Sequence, residues 1–187
     1  MENVFHSGEL AVQKMAGEQQ MAKMVSRGIK SSIAGGVIPF LRKQPMAFVG
    51  STDMQGRVWL SLLVGEMGFV TVPAAQTIVF DKTMMQSPDI DLFYQNIQQR
   101  PEIGILLIDP DSRMRYRING KATSINNEIR VQVEEAYGNC PKYIQRQVLS
   151  LPETVQALPV QITKGDELDN KAIDWIRKAD TFYVASQ

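Results

Sequence analysis

Short apolar runs divided by turn residues dominate the middle of the chain and predict an antiparallel β-structure. Seven runs carry this pattern, at residues 46–51, 57–64, 69–72, 77–80, 103–108, 113–125 and 129–136. A turn at 53–56 and an Asp-Pro-Asp-Ser turn at 109–112 each separate two neighbouring runs, so these pairs are expected to form hairpins. In the last run, Ile129, Val131 and Val133 alternate with polar residues, which is typical of a strand with one buried face.

Helical patterns precede and interrupt the strands. Between residues 8 and 27, apolar positions recur near helical spacing, with Gly28 as a stop and Gly17 as a weak point in the middle. Asp89 is a suitable cap for a central helix that runs to about Gln99.

The C-terminal third changes from strands to helices. A Gly-Asn-Cys-Pro sequence at 138–141 predicts a helix start, and a later helix is indicated by the apolar stripe Leu168, Ala172, Trp175, Ile176 and Ala179. The final residues 181–186, Thr-Phe-Tyr-Val-Ala-Ser, echo the Ala-Phe-Val-Gly-Ser-Thr run at 47–52 and predict a last strand. Strands followed by helices predict a β-barrel or sandwich with helical cover.

Composition narrows the class of protein. The length of 187 residues fits one domain, in which 1–45 is a helical segment, 46–136 the barrel core and 137–187 a helical part with a last strand. Because 20 basic residues balance 20 acidic ones, nucleic acid is not an expected partner. The single cysteine and single histidine offer neither a disulfide nor a zinc cluster, so no metal is expected. No apolar run approaches the roughly 20 residues of a membrane span, and no signal peptide is evident, so we expect a cytoplasmic protein without membrane contact.

Three arginines stand at alternate positions at the start of the sixth run. Arg113, Arg115 and Arg117 are predicted to share one strand face, about 7 Å apart, while the apolar residues between them face a core. Planar guanidinium groups in a row suit a phosphate or a carboxylate. A solvated edge strand, with its arginines paired to Glu134 and Glu135 on a neighbour, explains the pattern equally well.

A second cationic face is predicted for the run at 57–64. We expect the core-directed residues to be Val58, Leu60, Leu62 and Val64. Arg57, Trp59 and Ser61 then share the other face, where they could hold a phosphate and a flat ring. Alternatively, Trp59 caps the barrel or fills a dimer interface. Two strands that each present arginine opposite an apolar face favour a ligand with both phosphate and aromatic parts.

Cys140 and His6 are not expected to form a catalytic centre. Cys140 has no imidazole base that the sequence places nearby, and we interpret it as structural. His6 is interpreted as a capping or interface residue.

Four stretches together resemble a known family. They are Phe-His-Ser-Gly-Glu-Leu-Ala-Val-Gln at 5–13, Arg-Val-Trp-Leu-Ser-Leu-Leu-Val-Gly at 57–65, Arg-Met-Arg-Tyr-Arg-Ile-Asn-Gly-Lys-Ala at 113–122 and Tyr-Gly-Asn-Cys-Pro-Lys-Tyr-Ile-Gln at 137–145. The combination is similar to a branch of the pyridoxamine 5′-phosphate oxidase-like, FMN-binding split-barrel family. The resemblance covers essentially the whole chain.

The resemblance implies a fold and a cofactor. It implies a mainly β protein with flanking helices, built as a six- or seven-stranded antiparallel split β-barrel, and a homodimer with FMN at the subunit interface. Arg57, Thr71 and Arg117, the last set three residues before Gly120, match the family's oxidase motif. The implied phosphate ligands are Arg57, Ser61, Arg115 and Arg117. The implied contacts to the ring or ribityl chain are Trp59 and Thr71.

Two departures bear on the reaction. Leu62 stands where the oxidase motif has a lysine, and the family's C-terminal Trp and Arg segment is absent, so pyridoxamine phosphate oxidation is not expected. Longer relatives resemble two barrels in tandem, the second opening with a stretch like Ala-Asp-Thr-Phe at 179–182. We therefore expect a first barrel, which could be poor in flavin.

The leading hypothesis is an FMN-binding flavoprotein with oxidoreductase capability and an unknown redox substrate. The alternative is a non-catalytic dimeric binding or assembly module with a degenerate flavin site or none. A haem-handling role is a third hypothesis, for which His6 is the sole imidazole.

Overall fold

A computed structural model describes residues 4–87, 90–140, 144–148 and 165–186, and in this part of the chain seven strands form one antiparallel sheet. The strands are β1 (Met46–Thr52), β2 (Val58–Val64), β3 (Val70–Ala74), β4 (Thr77–Asp81), β5 (Glu102–Asp109), β6 (Met114–Ile125) and β7 (Glu128–Gly138). Their order in the sheet is β2-β1-β5-β6-β7-β4-β3. β2 and β3 are therefore its two edges.

The sheet is curled rather than flat. The Gln86 backbone N–H donates to the Val64 carbonyl at 2.8 Å, and Gly65 bridges to Met85, so the end of β2 touches the chain just after β4. In a flat sheet of this order β2 and β4 would lie about 24 Å apart, whereas the few residues from Asp81 to Met85 span at most about 14 Å. Buried residues from all seven strands form one hydrophobic cluster inside the curl. The predicted mainly β fold, a six- or seven-stranded antiparallel split barrel, is confirmed with seven strands.

Each of the seven strands predicted between residues 46 and 136 is present, with ends displaced by at most two residues. One displacement changes the candidate site. Arg113 lies in the turn before β6 with a φ of 57°, so the arginine row on the strand consists of Arg115 and Arg117 rather than three residues. The left-handed conformation closes the β5–β6 hairpin, and a side chain in that turn does not follow the alternation of the strand.

Within the described residues, five helices flank the strands along the chain. They are α1 (Ser7–Met15), α2 (Gln19–Ser26), α3 (Ile38–Arg42), α4 (Leu92–Gln99) and α5 (Asn170–Lys178), with short 3₁₀ turns at Gly35–Val37 and Lys82–Met84. α4 packs against β1, β2 and β6 and buries Phe93, Asn96 and Ile97. No helix in the described ranges combines the length and apolar character needed to cross a lipid bilayer.

The N-terminal helix is divided in two. α1 and α2 are separated near Gly17, whose φ is 70°, the left-handed conformation that glycine adopts at low cost. The His6 ring accepts a hydrogen bond from the Gly8 N–H at 3.0 Å at the start of α1, which confirms its interpretation as a capping residue.

The central helix begins at a different cap from the one expected. Asp89 lies outside the described residues. The Asp91 carboxylate accepts a hydrogen bond from the Phe93 backbone N–H at 2.9 Å, and α4 begins at Leu92. Both aspartates precede the apolar stripe, and the side chain one position before the first helical residue is the one that can reach its free N–H groups.

The C-terminal part is less regular than predicted. Pro141 lies outside the described residues and residues 144–148 are irregular, so the helix expected from 141 is not seen in its described portion. α5 is present at the predicted stripe, capped by Asp169. Residues 181–186 form no strand, contrary to the prediction, because they lie across the outer face of the sheet and reach no unpaired strand edge.

Candidate functional site

Strand β2 has the opposite orientation to the one predicted. Val58, Leu60 and Leu62 are exposed, whereas Ser61 and Leu63 are buried. The alternation was predicted correctly, but the apolar row faces out. Trp59 and Ser61 lie on the opposite face, where Ser61 is buried and Trp59 is 36% exposed, and Arg57 is exposed one residue before the strand. Hydrophobicity alone gave the wrong face because the inner row is held by polar contacts with two aspartates.

The first aspartate, Asp53, holds Arg57 and Trp59. One carboxylate oxygen accepts hydrogen bonds from the Arg57 Nε at 2.7 Å and from the Trp59 indole at 2.9 Å. The guanidinium also lies 5.7 Å from the centre of the indole ring. Burial alone would raise the pKa of the Asp53 carboxyl, but the bonds from Trp59 and Arg57 and the charge of Arg57 outweigh it and hold that pKa far below its ordinary value. Arg57 and Trp59 are thus both hydrogen-bonded to one ionised carboxylate, that of Asp53, at the β1–β2 turn.

The second aspartate, Asp91, holds Ser61. The Ser61 hydroxyl donates to the Asp91 carboxylate at 2.6 Å, and Ser61 is only 4% exposed. The same carboxylate oxygen caps α4, so this contact joins the edge strand to the helix. In the described structure Ser61 is therefore a buried link between β2 and α4.

A cleft of about 370 Å³ opens on the outer face of β1, β2, β5 and β6. This volume lies within the roughly 300–1,000 Å³ typical of small-molecule sites. One wall is apolar, formed by Val58, Leu60 and Phe48, and the other is polar. The polar wall contains Arg117, Asn119, Glu102 and Glu134, and Glu134 is paired with Lys121 at 3.1 Å. Tyr183 and the residues after it cover part of the opening.

Two glycines form the floor of the cleft. Gly50 on β1 and Gly104 on β5 are direct cross-strand partners, so neither strand places a side chain at this point of the outer face. A Cβ on Gly104 would come within 3.3 Å of the Asn119 side chain, and one on Gly50 within 3.4 Å of the Ala185 methyl group. Adjacent glycines allow a ligand to approach the backbone closely, and the result is a flat shelf. We call this the glycine shelf.

Arg117 lies at the polar wall. It is the cross-strand partner of Leu106, and its side chain is exposed with no hydrogen bond or ion pair to another described residue. After Asn119 the pairing of β6 with β7 shifts at Gly120, where a Cβ would collide with the Gln132 carbonyl. The bulge lies between Asn119 and Gly120, two to three residues after Arg117, and it bends the strand next to the polar wall.

Arg115 lies two residues before Arg117 on the same face. Its Nη2 donates to the Cys140 carbonyl at 3.1 Å, while its Nε is buried and has no acceptor among the described residues. A buried N–H without an acceptor is costly, so an anionic oxygen would be favourable here. Cys140 itself is an exposed free thiol.

The predicted site residues therefore fall into separate groups. Arg115 and Arg117 lie on the outer face, where Arg117 lines the cleft, and Arg57, Trp59 and Ser61 lie on the other face of β2. Thr71 is on edge strand β3, paired with Val79, and lines neither this cleft nor a smaller one of about 210 Å³ beside Asp53. The cofactor roles expected for these residues stay predictions.

Sequence reasoning missed the glycine shelf, Phe48, Asn119 and Tyr183. A signal for the shelf existed, because a glycine inside a strand pattern often marks a close backbone approach, and both Gly50 and Gly104 interrupt apolar runs. The two glycines become neighbours only because β1 pairs with β5. These strands are far apart in the chain, so the pairing could not be predicted from the local sequence.

A planar ligand with an acidic tail fits the cleft in shape, and its charge fits the end of the polar wall where Arg117 lies rather than the part with Glu102 and Glu134. The glycine shelf is flat, the apolar wall suits a ring system, and the unpaired guanidinium of Arg117 suits a phosphate. FMN is the cofactor expected from the sequence. The outer face could hold the phosphate of FMN at Arg117 and Arg115 and its ring near Phe48 and Leu60.

Comparison with known structures gives distant likenesses. The Group A Streptococcus protein HupZ is 15% identical, with a TM-score of 0.45 over 57% of this chain and 93% of that chain. A candidate pyridoxamine 5′-phosphate oxidase from Lactobacillus delbrueckii is 16% identical, with a TM-score of 0.43 over 58% and 95%. A pyridoxamine 5′-phosphate oxidase-related, FMN binding protein from Nostoc punctiforme is 19% identical, with a TM-score of 0.33 over 47% and 41%. Likeness at this level does not transfer a ligand or an activity.

Sequence comparison shows which family the chain belongs to. No curated protein is significantly similar to the chain. The family model for pyridoxamine 5′-phosphate oxidase matches residues 37–163, which include all seven strands and α4. Because this match covers more than half of the sequence, the chain belongs to the pyridoxamine 5′-phosphate oxidase family.

Proposed function

We propose that the chain binds FMN on the outer face of its barrel and acts as a flavin-dependent oxidoreductase. The observation that carries the proposal is Arg117, an exposed guanidinium without a partner among the described residues, on the wall of a cleft with a flat floor. A planar guanidinium donates paired hydrogen bonds to phosphate oxygens, and it stays charged at every physiological pH.

The spacing along the sheet supports this arrangement. Leu62, Phe48, Leu106 and Arg117 form one row across β2, β1, β5 and β6. At about 4.8 Å per strand, Arg117 lies about 10 Å from Phe48. The sugar-alcohol chain of FMN can bridge that distance, with its phosphate at Arg117 and its ring over the apolar part of the row.

Bound FMN would supply the electron or hydride transfer, while the protein supplies binding and surroundings. Arg117 and Arg115 would anchor the phosphate and add positive charge to that end of the cleft. The glycine shelf would let the ring approach the backbone, and Leu60 and Val58 would exclude water from one side.

We further propose that the functional unit is a homodimer. The outward row of β2 leaves Leu62 43% exposed beside Val58 and Leu60, and this apolar strip lies on an edge strand. Neither α1 nor α2 fully buries any of its residues. A second copy could cover these surfaces, and it could also bring its Arg57 and Thr71 toward the cleft of the first.

A non-catalytic binding module is the second candidate, and one observation favours it. Asp53 and Asp91 already engage Arg57, Trp59 and Ser61, three of the side chains expected to hold the cofactor. A barrel in which these residues are purely structural could have lost its flavin.

The absorbance spectrum of the purified protein separates the two candidates. An FMN protein should be yellow and release free FMN on denaturation, and the apoprotein should quench the fluorescence of added FMN. A colourless protein that quenches no added FMN would favour the binding module and contradict the proposed function.

A further inference from the structure

An aromatic ring of the protein itself lies beside the glycine shelf. The Tyr183 ring stacks on the Phe48 ring, with 3.7 Å between centroids and 19° between planes. Phe48 has Leu62 and Leu106 as its cross-strand neighbours, so the stacked ring rests on an apolar part of the outer face. Burial there raises the pKa of the Tyr183 hydroxyl.

Residues 181–186, which we call the C-terminal strap, alternate between facing the sheet and facing away from it. Tyr183 and Ala185 are half-buried against the sheet, whereas Phe182 and Val184 are 82% and 74% exposed. The Ala185 methyl group lies 3.4 Å from the position that a Cβ on Gly50 would take. The strap therefore occupies part of the glycine shelf as well as the face of Phe48.

The strap is held by side chains rather than by a strand ladder. In the described ranges, none of its residues shares a backbone hydrogen bond with the sheet. Just before it, the Gln147 side chain donates to Asp180 at 3.1 Å. Ring stacking alone contributes modestly to stability, so a ligand that offers Phe48 a larger flat surface can displace Tyr183.

We propose that Phe48 is the ring-binding residue of the cleft and that Tyr183 is a built-in competitor for the same position. The proposal rests on the proposed function and extends it. A planar aromatic ligand and the docked strap are mutually exclusive, so the affinity of the cleft is lowered by the fraction of molecules in which the strap is docked.

A reversible covalent tether tests this competition. Gly50 and Ala185 can be replaced by cysteines, because a Cβ at position 50 would lie 3.4 Å from the Ala185 Cβ, close to the roughly 3.5–4.5 Å of a disulfide. The exposed Cys140 is first replaced, and the variant is Cys140→Ser/Gly50→Cys/Ala185→Cys. Disulfide formation is followed by mass spectrometry and FMN binding by fluorescence quenching, before and after addition of a reductant.

The expected result is a disulfide that forms readily and gives an FMN affinity at least tenfold lower than that of the same variant after reduction, which carries the same cysteine side chain at position 50. If the disulfide does not form under mild oxidation, the strap is not docked and the inference is wrong, whatever the affinity for FMN. If the tethered protein binds FMN as tightly as the reduced protein, docking stands but competition is refuted.

Two single variants give an independent readout. Tyr183→Ala should bind FMN at least threefold more tightly than the wild type, because the stacked competitor is removed. Phe182→Ala is the matched control, since its ring faces solvent, and it should leave the affinity unchanged. Equal affinities for Tyr183→Ala and the control would refute the competition. Complete failure of every form to bind FMN, with the disulfide formed, would refute the proposed function and the competition together while leaving the docked strap intact.

Discussion

The Trp59 indole donates a hydrogen bond of 2.9 Å to the Asp53 carboxylate, across the turn that joins β1 to β2. This contact turns Trp59 away from the outer cleft, while its neighbour Leu60 lines that cleft. The contact helps to keep Val58 and Leu60 on the wall of the cleft, so its loss is expected to change both the stability of the barrel and the lining of the candidate site.

The first prediction concerns pH. The pKa of Asp53 is lowered on folding, so its contribution to stability is present above the ordinary aspartate pKa of about 3.9 and is lost as the pH falls below about 4. Asp53→Asn should therefore be less stable than the wild type at pH 7, and the difference should shrink toward pH 2–3. The pKa of Asp81 is also lowered, by hydrogen bonds from Thr83. Asp81 is present in both proteins, so its pH-dependent contribution to stability cancels in the comparison. Urea unfolding at several pH values measures this, and a difference independent of pH would contradict it.

The second prediction separates two roles for Ser61. Ser61→Ala removes a bond to the carboxylate that caps α4, so the free energy of unfolding should fall by about 1–3 kcal/mol. The affinity for FMN should stay within about twofold of the wild type, because the hydroxyl faces inward. The exposed Ser124→Ala serves as the control for stability. A large loss of FMN affinity with unchanged stability would instead assign Ser61 to the phosphate.

The third prediction concerns the bulge at Gly120. A methyl group at this position would collide with the Gln132 carbonyl and crowd Val131, so Gly120→Ala should lower the free energy of unfolding by about 1–3 kcal/mol or prevent folding. Gly138→Ala is the matched control, because nothing lies within 4 Å of its added methyl group. Thermal unfolding of both variants measures the difference, and equal stabilities would mean that β6 and β7 are not paired as described.

The fourth prediction addresses the homodimer. Leu62→Glu places a charge on the exposed apolar row of β2 and should convert a dimer to a monomer in light scattering. Met67→Glu, at an exposed turn position, should leave the mass unchanged. A dimer that persists in Leu62→Glu would place the interface elsewhere.

Much of the fold could be predicted from the sequence, but less of the site. Alternating residues in β7 and the turn at 109–112 mark their strands locally, so their positions were predictable. The face of β2 was not, because Val58 and Leu60 look like core residues until the contacts of Asp53 and Asp91 are known. The glycine shelf depends on the pairing of β1 with β5, and the position of Tyr183 depends on its packing against Phe48. Both contacts join residues that are far apart in the sequence, so neither could be predicted from a local pattern.

The most direct test of the central claim is an FMN titration of Arg117→Ala, followed by fluorescence quenching. Loss of charged hydrogen bonds to a phosphate costs roughly 1.5–3 kcal/mol, so the affinity should fall at least tenfold. Arg130→Ala, on β7 and paired with Glu128 at 2.7 Å, is the control and should bind FMN like the wild type. If Arg117→Ala binds FMN as tightly as Arg130→Ala does, the phosphate is not held on the outer face and the account is wrong.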